Sequence, residues 1–465
     1  MRPGFLELGV VGAATAVHDN TASAVDMAQI CIDQIDAGEP ELLAWQYFDA
    51  EILLKHAQSF DRDRSARARN GTASPDGPLV GLPFGVKDIF NTMDFPTQMG
   101  SPLWHSFTPG NDARSVFHAS RAGGIVAGKT VTAEFAVHAL GATLNPYDVS
   151  RTPGTSSSGS AAAVAAGMVP FALGTQTAGS IIRPASFCGV YGFKPSFGLI
   201  PRTGMLKTTD SLDTIGYFVP HASDLSPVLE ALRVHGADYP IVDAAFGDSE
   251  GGLAKHNGPW RVAVVKGPTW DDADLCAKQA LDDWAGKLFS ASGFEQVEGR
   301  LPQDIEDVHS LHSDIYDASL AYYFKGEGEK TEFVSPIMNE IIAHGRTISP
   351  GAYRAALERQ ELMCRQIDAC FERYDFIVTL STAGAAPLRA ESERRDSALI
   401  WTFLHLPALS APAFADKNGL PFGLQIVGRR YSDLRLIEFV NSLTATGLLP
   451  EKCELPPRMA NISAA

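Results

Sequence analysis

The chain has 465 residues, 45% hydrophobic and 20% charged, so it can bury one or more large cores without disulfide or metal staples. Lysine and arginine total 38 against 54 aspartate and glutamate, and the net charge of −16 opposes a grip on a nucleic-acid backbone by this chain alone. No run approaches the roughly 18 uninterrupted apolar residues of a membrane helix, and six scattered cysteines with no C-x-x-C pair give zinc and redox motifs no support and read as reduced cytoplasmic thiols.

The first twenty residues carry a weak apolar run broken by glycine, short of the h-region of a signal peptide. Val25, Ala28, Ile32 and Ile35 recur at helical spacing, which predicts a helix over 22–36 with Asn20 or Thr21 as its N-cap. The polar, arginine-rich stretch Asp61 to Gly77 reads as an exposed connection. Leu79–Val86, broken by Gly81, Pro83 and Gly85, reads as strand and turn. A helix over Ala113–Ala122 and a short buried strand over Gly124–Lys129 follow. Ala161–Ala166 is an alanine-rich helix opened by a Ser/Gly loop, and Phe171–Gly174 and Val190–Phe193 are strands around a second such loop. Further on, Arg261–Val265, Phe376–Leu380 and Pro421–Val427 read as strands. Asp271 to Leu288, Ala352 to Phe371 and Leu434 to Leu443 read as helices. Strands alternating with helices point to an α/β layered architecture, and no linker is long enough to mark an independent domain.

Two loops carry the chemistry. Pro153-Gly154-Thr155-Ser156-Ser157-Ser158-Gly159-Ser160 is by itself either a flexible linker or a serine-capped helix start. Gly174-Thr175-Gln176-Thr177-Ala178-Gly179-Ser180 has small residues that let backbone approach a ligand. A serine placed there is a candidate nucleophile beside backbone N–H donors. The twelve histidines offer no evident base, since there is neither a G-x-S-x-G elbow nor an H-E-x-x-H motif. A lysine serves if burial keeps it neutral, and Lys87, emerging from the apolar run LVGLPFGV, is the one that stands out.

Val86-Lys87-Asp88, the serine-rich loop and Gly179-Ser180 together resemble the amidase signature family. So do GKT at 128–130, Glu134-Phe135, Asn145-Pro146, FCGVYGFKPSFG at 187–198, Ser211-Leu212-Asp213, Asp375 and GLPFGLQIVG at 419–428, in matching order and spacing. The resemblance implies a central mixed, twisted β-sheet covered by helices on both faces. It implies one domain over 1–465: an N-terminal helical segment (about 1–60), a signature core (about 79–220), a variable substrate-pocket region (about 290–350) and a C-terminal return to the core (about 370–445). It also implies a Ser–cis-Ser–Lys triad, with Lys87 as terminal base, Ser156 as bridging serine on a cis peptide and Ser180 as nucleophile. Backbone N–H groups of Thr177, Ala178, Gly179 and Ser180 would form the oxyanion hole. Met99, Val137 and His138 would contact substrate, with Ala136, Gly100, Ser101, Trp401 and Thr402 near the site. The implied reaction hydrolyses a small-molecule carboxylic amide through an acyl-enzyme, with no cofactor and no metal. No nucleic-acid or membrane partner is expected, and a homodimer is compatible.

Some positions depart from the family pattern. Gly-Thr-Ser-Ser-Ser-Gly-Ser stands for the common Gly-Gly-Ser-Ser-Gly-Gly-Ser, and Gln-Thr-Ala-Gly-Ser for Asp-x-Gly-Gly-Ser. The arginine often found two residues after the nucleophile lies three after it, at Arg183, with Ile182 in its usual place. The changes at 176 and 183 read as the loss of both ends of one ion pair. They set the chain apart from glutamine-dependent transamidation subunits, and a glutaminase subunit of a tRNA-dependent amidotransferase and a hydrolase of biuret-like amides remain as alternatives. Cys188 reads as a buried packing residue, and Arg389–Arg395 as a solvated face.

Overall fold

Pro83-Phe84-Gly85-Val86-Lys87 is apolar on both faces until its last residue. Such a run suits a central strand with parallel neighbours on each side. In the computed structural model, which describes residues 4–70, 76–250 and 252–463, this segment is a strand buried along its whole length. Among the described residues the strands are β1 (Trp45–Phe48), β2 (Pro83–Lys87), β3 (Ile125–Thr130), β4 (Ala172–Gln176), β5 (Tyr191–Lys194), β6 (Thr214–Val219), β7 (Trp260–Val264), β8 (Phe294–Gln296), β9 (Phe376–Leu380), β10 (Ala408–Ala415) and β11 (Pro421–Gly428). They pair into one sheet in the order β1-β3-β2-β4-β6-β5-β10-β11-β9-β7-β8. β2 runs parallel to β3 and β4, and β7 parallel to β8 and β9. The remaining pairs are antiparallel. The sheet is therefore mixed, and helices pack on it in α/β layers, as the sequence implied.

Two expectations near the N-terminus are corrected. The helix Ala24–Leu42 is capped by Ser23, not by Asn20 or Thr21. The Ser23 hydroxyl accepts from the Asp26 N–H at 3.1 Å and the Asp26 carboxylate accepts from the Ser23 N–H at 2.9 Å, a reciprocal capping box. The stretch expected as an exposed connection from Asp61 is helical through Arg69, because Ala50–Arg69 forms one helix capped by Asp49. Its polar residues are the solvent face of that helix, which a polarity reading mistakes for a loop. Residues 71–75 of that stretch lie outside the described residues. The strands β1, β6, β8 and β10 and the helix Phe5–His18 have no counterpart among the sequence-based expectations. No described helix is long and apolar enough to cross a membrane.

The sheet positions the two loops through the parallel β2–β4 pairing. Gly85 and Val86 face Ala172 and Leu173, so the carboxyl ends of both strands open side by side, where ligands gather in α/β sheets. The helix Ser158–Ala165 is built of small residues and buried at every one, packing on β2, β3, β4 and β6. Its serines tie it down: Ser160 Oγ donates to the Leu173 carbonyl at 2.8 Å and lies 2.7 Å from Thr130 Oγ1. Gly159 sits against the backbone of Val131 and Ala44, where a Cβ would overlap the Ala44 carbonyl oxygen and the Val131 nitrogen. Alanine gains roughly 1 kcal/mol over glycine in a helix, whereas overpacking against rigid backbone costs about 1–3 kcal/mol. Gly159→Ala should accordingly lower stability in denaturant titration. A variant as stable as the native chain would show that the helix can lift off β3.

Candidate active site

Lys87 ends β2 and is fully buried. Its Nζ lies 2.7 Å from Ser156 Oγ and 2.8 Å from Thr175 Oγ1, the latter near the end of β4. Ser156 is also fully buried and follows a cis peptide bond from Thr155. Ser157 Oγ donates to the Thr175 carbonyl at 3.2 Å, which pins the serine loop onto β4. Desolvation pushes Lys87 far below the usual amine pKa, with the charge of Asp213 pulling the other way. Two other lysines are buried to the same degree, and their partners separate them from Lys87. Lys129 lies 3.2 Å from an Asp88 carboxylate oxygen and donates to the carbonyls of Phe90 and Pro96. Lys194 donates to the carbonyls of Pro195 and Leu406. A carbonyl only accepts, so those two amines must act as donors. Both partners of the Lys87 amine are hydroxyls, which can also donate, whereas the one hydroxyl beside Lys129, Thr97 Oγ1 at 2.7 Å, already donates to the Phe90 carbonyl.

Ser180 lies on the next loop, 9% exposed, and lines a cavity of about 980 Å³. The loop is held by its carbonyls. His312 Nε2 lies 2.9 Å from the Thr177 oxygen, Thr402 Oγ1 donates to the Ala178 oxygen at 2.6 Å, and the Arg183 N–H donates to the Gly179 oxygen at 2.9 Å. A carbonyl requires the hydrogen to sit on His312 Nε2, and burial, which lowers the ring pKa to about 4, keeps that ring neutral. In a trans peptide the following N–H points opposite the carbonyl. Each anchor therefore also aims an N–H, those of Ala178, Gly179 and Ser180, away from itself. These three precede the helix Ile182–Cys188 and belong to no ladder.

Gln176 completes the frame. Its Oε1 accepts from the N–H groups of Ile181 and Ile182 at 2.8 and 3.0 Å, and its Nε2 donates to Thr402 Oγ1 at 2.9 Å. A carboxylate could accept but not donate, so the amide at 176 does what an aspartate cannot. Arg183 has not lost its partners: it pairs with Glu393 and Asp396. Burial weakens its charged form, yet these two carboxylates hold its pKa above the ordinary value. Asp213 anchors the loop from below, accepting from Thr177 Oγ1 at 2.9 Å and from the Thr208 N–H at 2.8 Å.

Ala136, Val137 and His138 line the cavity. Met99 is not among its lining residues; it packs in an apolar cluster with Phe135 and Val137. Trp401 is buried, while its neighbour Thr402 holds the loop directly. Cys188 is buried, and its thiol, its pKa raised by desolvation, donates to the Pro153 carbonyl at 3.4 Å. The stretch Arg389–Arg395 is largely solvated, as expected, with residues 390–392, 394 and 395 exposed, and its inner side also runs along the cavity as a strap. Arg389 donates to the Thr143 and Gly141 carbonyls, and Arg394 pairs with Asp274. Such a charged run looks the same in sequence whether water or the protein satisfies it. His309 and His312 are further site residues that the sequence motifs do not mark. Their signal is spacing: His309, His312, Tyr316 and Asp317 recur on one face of the helix Val308–Tyr323, and all line the cavity.

The amidase family model matches residues 26–437. A glutamyl-tRNA(Gln) amidotransferase subunit from Heliobacterium modesticaldum is 31% identical over 470 residues, spanning 91% of this chain and 94% of that protein. A crystal structure of an amidase superposes with a TM-score of 0.82 at 25% identity, covering 94% of this chain and 99% of the other. The peptide amidase of Stenotrophomonas maltophilia, at 24% identity and a TM-score of 0.80 over 97% of this chain and 98% of its own, shares the fold.

Two outcomes are expected. Thr402→Val should cut kcat about ten-fold with little change in KM, because it releases the Ala178 carbonyl and orphans Gln176 Nε2. Steady-state kinetics on a variant with native-like melting decides it. For Lys87, folding holds the amine neutral at pH values where the unfolded chain still carries the proton, up to about 10.5. The unfolded state then binds more protons, so raising pH within that window favours the folded state. Relative to Lys87→Met, the native chain should gain stability with rising pH by up to about 1.4 kcal/mol per unit. Parallel stability–pH curves for the two proteins would show that Lys87 is folded in its charged form.

Proposed function

The chain belongs to the amidase family, and on that footing we propose that it hydrolyses a linear, non-peptide carboxylic amide through an acyl-enzyme on Ser180. The observation that carries this reading is Lys87 Nζ, buried among hydroxyls, 2.7 Å from Ser156 Oγ below the cavity that Ser180 lines. Neutral Lys87 takes a proton from Ser156, which takes one from Ser180 as its oxygen bonds to the amide carbon. The carbonyl π-electrons move to oxygen, and the N–H groups of the loop 177–180 receive that charge. The proton returns by the same path to the departing nitrogen as the C–N bond breaks, and water then cleaves the ester by the reverse relay. A cavity of about 980 Å³ suits a small molecule. Six free cysteines fit a reducing, cytoplasmic setting.

The name carried by the curated relatives favours a second reading, in which this chain is the corresponding component of a tRNA amidotransferase. Glutaminase activity that appears only with a co-purified partner chain would establish that reading instead.

A fluorophosphonate should label Ser180 in the native chain and leave Ser180→Ala unlabelled; label retained by Ser180→Ala would overturn the assignment. The relay also fixes a pH profile. kcat/KM should fall about ten-fold per pH unit on the acid side, once the depressed Lys87 pKa is passed and the amine is protonated. A flat acid limb would assign the base elsewhere.

A further inference from the structure

The cavity's charged lining bears on which amides it admits. Carboxylates outnumber arginines there, with Asp317, Glu340, Glu391, Glu393 and Asp396 against Arg183, Arg389 and Arg394. Each arginine already has acceptors within the protein. Arg183, nearest the nucleophile loop, is closed by both Glu393 and Asp396. Arg389 donates to the main-chain carbonyls of Thr143 and Gly141 at 2.6 and 3.0 Å. Arg394 pairs with Asp274 at 2.7 Å and donates to the Asp272 carbonyl. Among the described residues, then, no arginine or lysine lining the cavity lacks an acceptor. The Asp396 carboxylate also presses on the nucleophile loop, where a Cβ added to Gly179 would overlap it. One arginine shared by two carboxylates leaves a surplus negative charge beside Ser180.

We propose that the pair Glu393 and Asp396, by closing Arg183, makes this an amidase for neutral or cationic amides that turns away substrates bearing a carboxylate. The inference rests on Ser180 as the nucleophile. A carboxylate-bearing amide would have to settle beside Asp396 and Glu393 with no unsatisfied guanidinium to receive it, an arrangement that selects by repulsion rather than by added contact. An ammonium group or a neutral chain meets no such opposition, and the surplus acidity attracts the former. The same arrangement argues against free glutamine as the natural substrate, since its α-carboxylate needs a cationic partner.

Three amides of similar reach separate the outcomes: valeramide, glutaramate and δ-aminovaleramide, each tested for ammonia release and for protection of Ser180 against fluorophosphonate labelling. Glutaramate should be at least about ten-fold poorer than valeramide in both assays, a factor worth about 1.4 kcal/mol, and δ-aminovaleramide at least equal to valeramide. Glu393→Gln and Asp396→Asn, singly and together, should raise the glutaramate-to-valeramide ratio by releasing Arg183. Equal protection by all three amides, preference for glutaramate in the native chain, or an unchanged ratio in both natively melting variants would overturn the proposal. If Ser180→Ala still takes the label, it is the nucleophile assignment that fails.

Discussion

The constraint on which the site depends is the removal of one amine from water. A lysine in contact with solvent holds its proton at neutral pH and is useless as a base, so the proposed relay requires the fold to desolvate Lys87 without supplying a carboxylate that would recharge it. The parallel strands do this. β2 is buried between β3 and β4, and its last residue emerges where two hydroxyls, Ser156 and Thr175, meet it from neighbouring segments. Asp213 is near enough to pull the lysine pKa upward, but its carboxylate is occupied by hydrogen bonds from Thr177, Thr208 and Thr209. Lys129, one strand over, is the contrast: burial lowers its pKa to about 8 while Asp88 pulls it back upward, and the amine serves as a tie between loops.

The second requirement is rigidity of the loop before the helix Ile182–Cys188. Three consecutive peptides are fixed from outside, by a histidine from the helix Val308–Tyr323, a threonine from the helix Leu399–Phe403 and the first turn of the loop's own helix. Donors held this way need no reorganisation when charge develops on a substrate oxygen, which is where such sites gain most. Gln176 links two of these anchors, because its amide accepts from the helix N–H groups and donates to Thr402. The Gln176 amide supplies the inner hydrogen bonds, and the Arg183 guanidinium faces the strap.

What the sequence disclosed and what it hid divide along the same line. The core strands β2, β3, β4, β9 and β11 are short apolar runs between turn residues, and Lys87, Ser156 and Ser180 sit in motifs whose order is read directly. β10, by contrast, is Ala-Leu-Ser-Ala-Pro-Ala-Phe-Ala, small residues around a proline that carry no strand period, although it pairs with both β5 and β11. The polar end of Ala50–Arg69 misleads, and the solvated stretch at 389–396 conceals its cavity contacts, for a shared reason. A charged side chain has the same spelling whether it faces water or another part of the chain, and only the fold brings Arg183 to Glu393 across 210 positions. His312 is hidden likewise, since its role lies in a carbonyl far away in sequence.

This division has a consequence for how the site can change. The proposed proton path is built from strand ends and the loops pinned to them, which are buried, so alteration there is felt at once in packing and in charge. Much of the cavity wall comes instead from the helix Val308–Tyr323, the helix Pro336–Gly345 and the strap, which reach the two loops through His312, the Arg183 pairings and the Asp396 carboxylate against Gly179. Most wall residues lie on exposed or half-buried helix faces, where substitution costs little stability. Selection for a different amide can therefore proceed along the walls with the relay untouched. Arg183 is where the two regions meet: its N–H anchors the loop 177–180 while its guanidinium holds the strap. A change in what that guanidinium binds alters the charge facing the substrate without moving the main chain that frames the reaction.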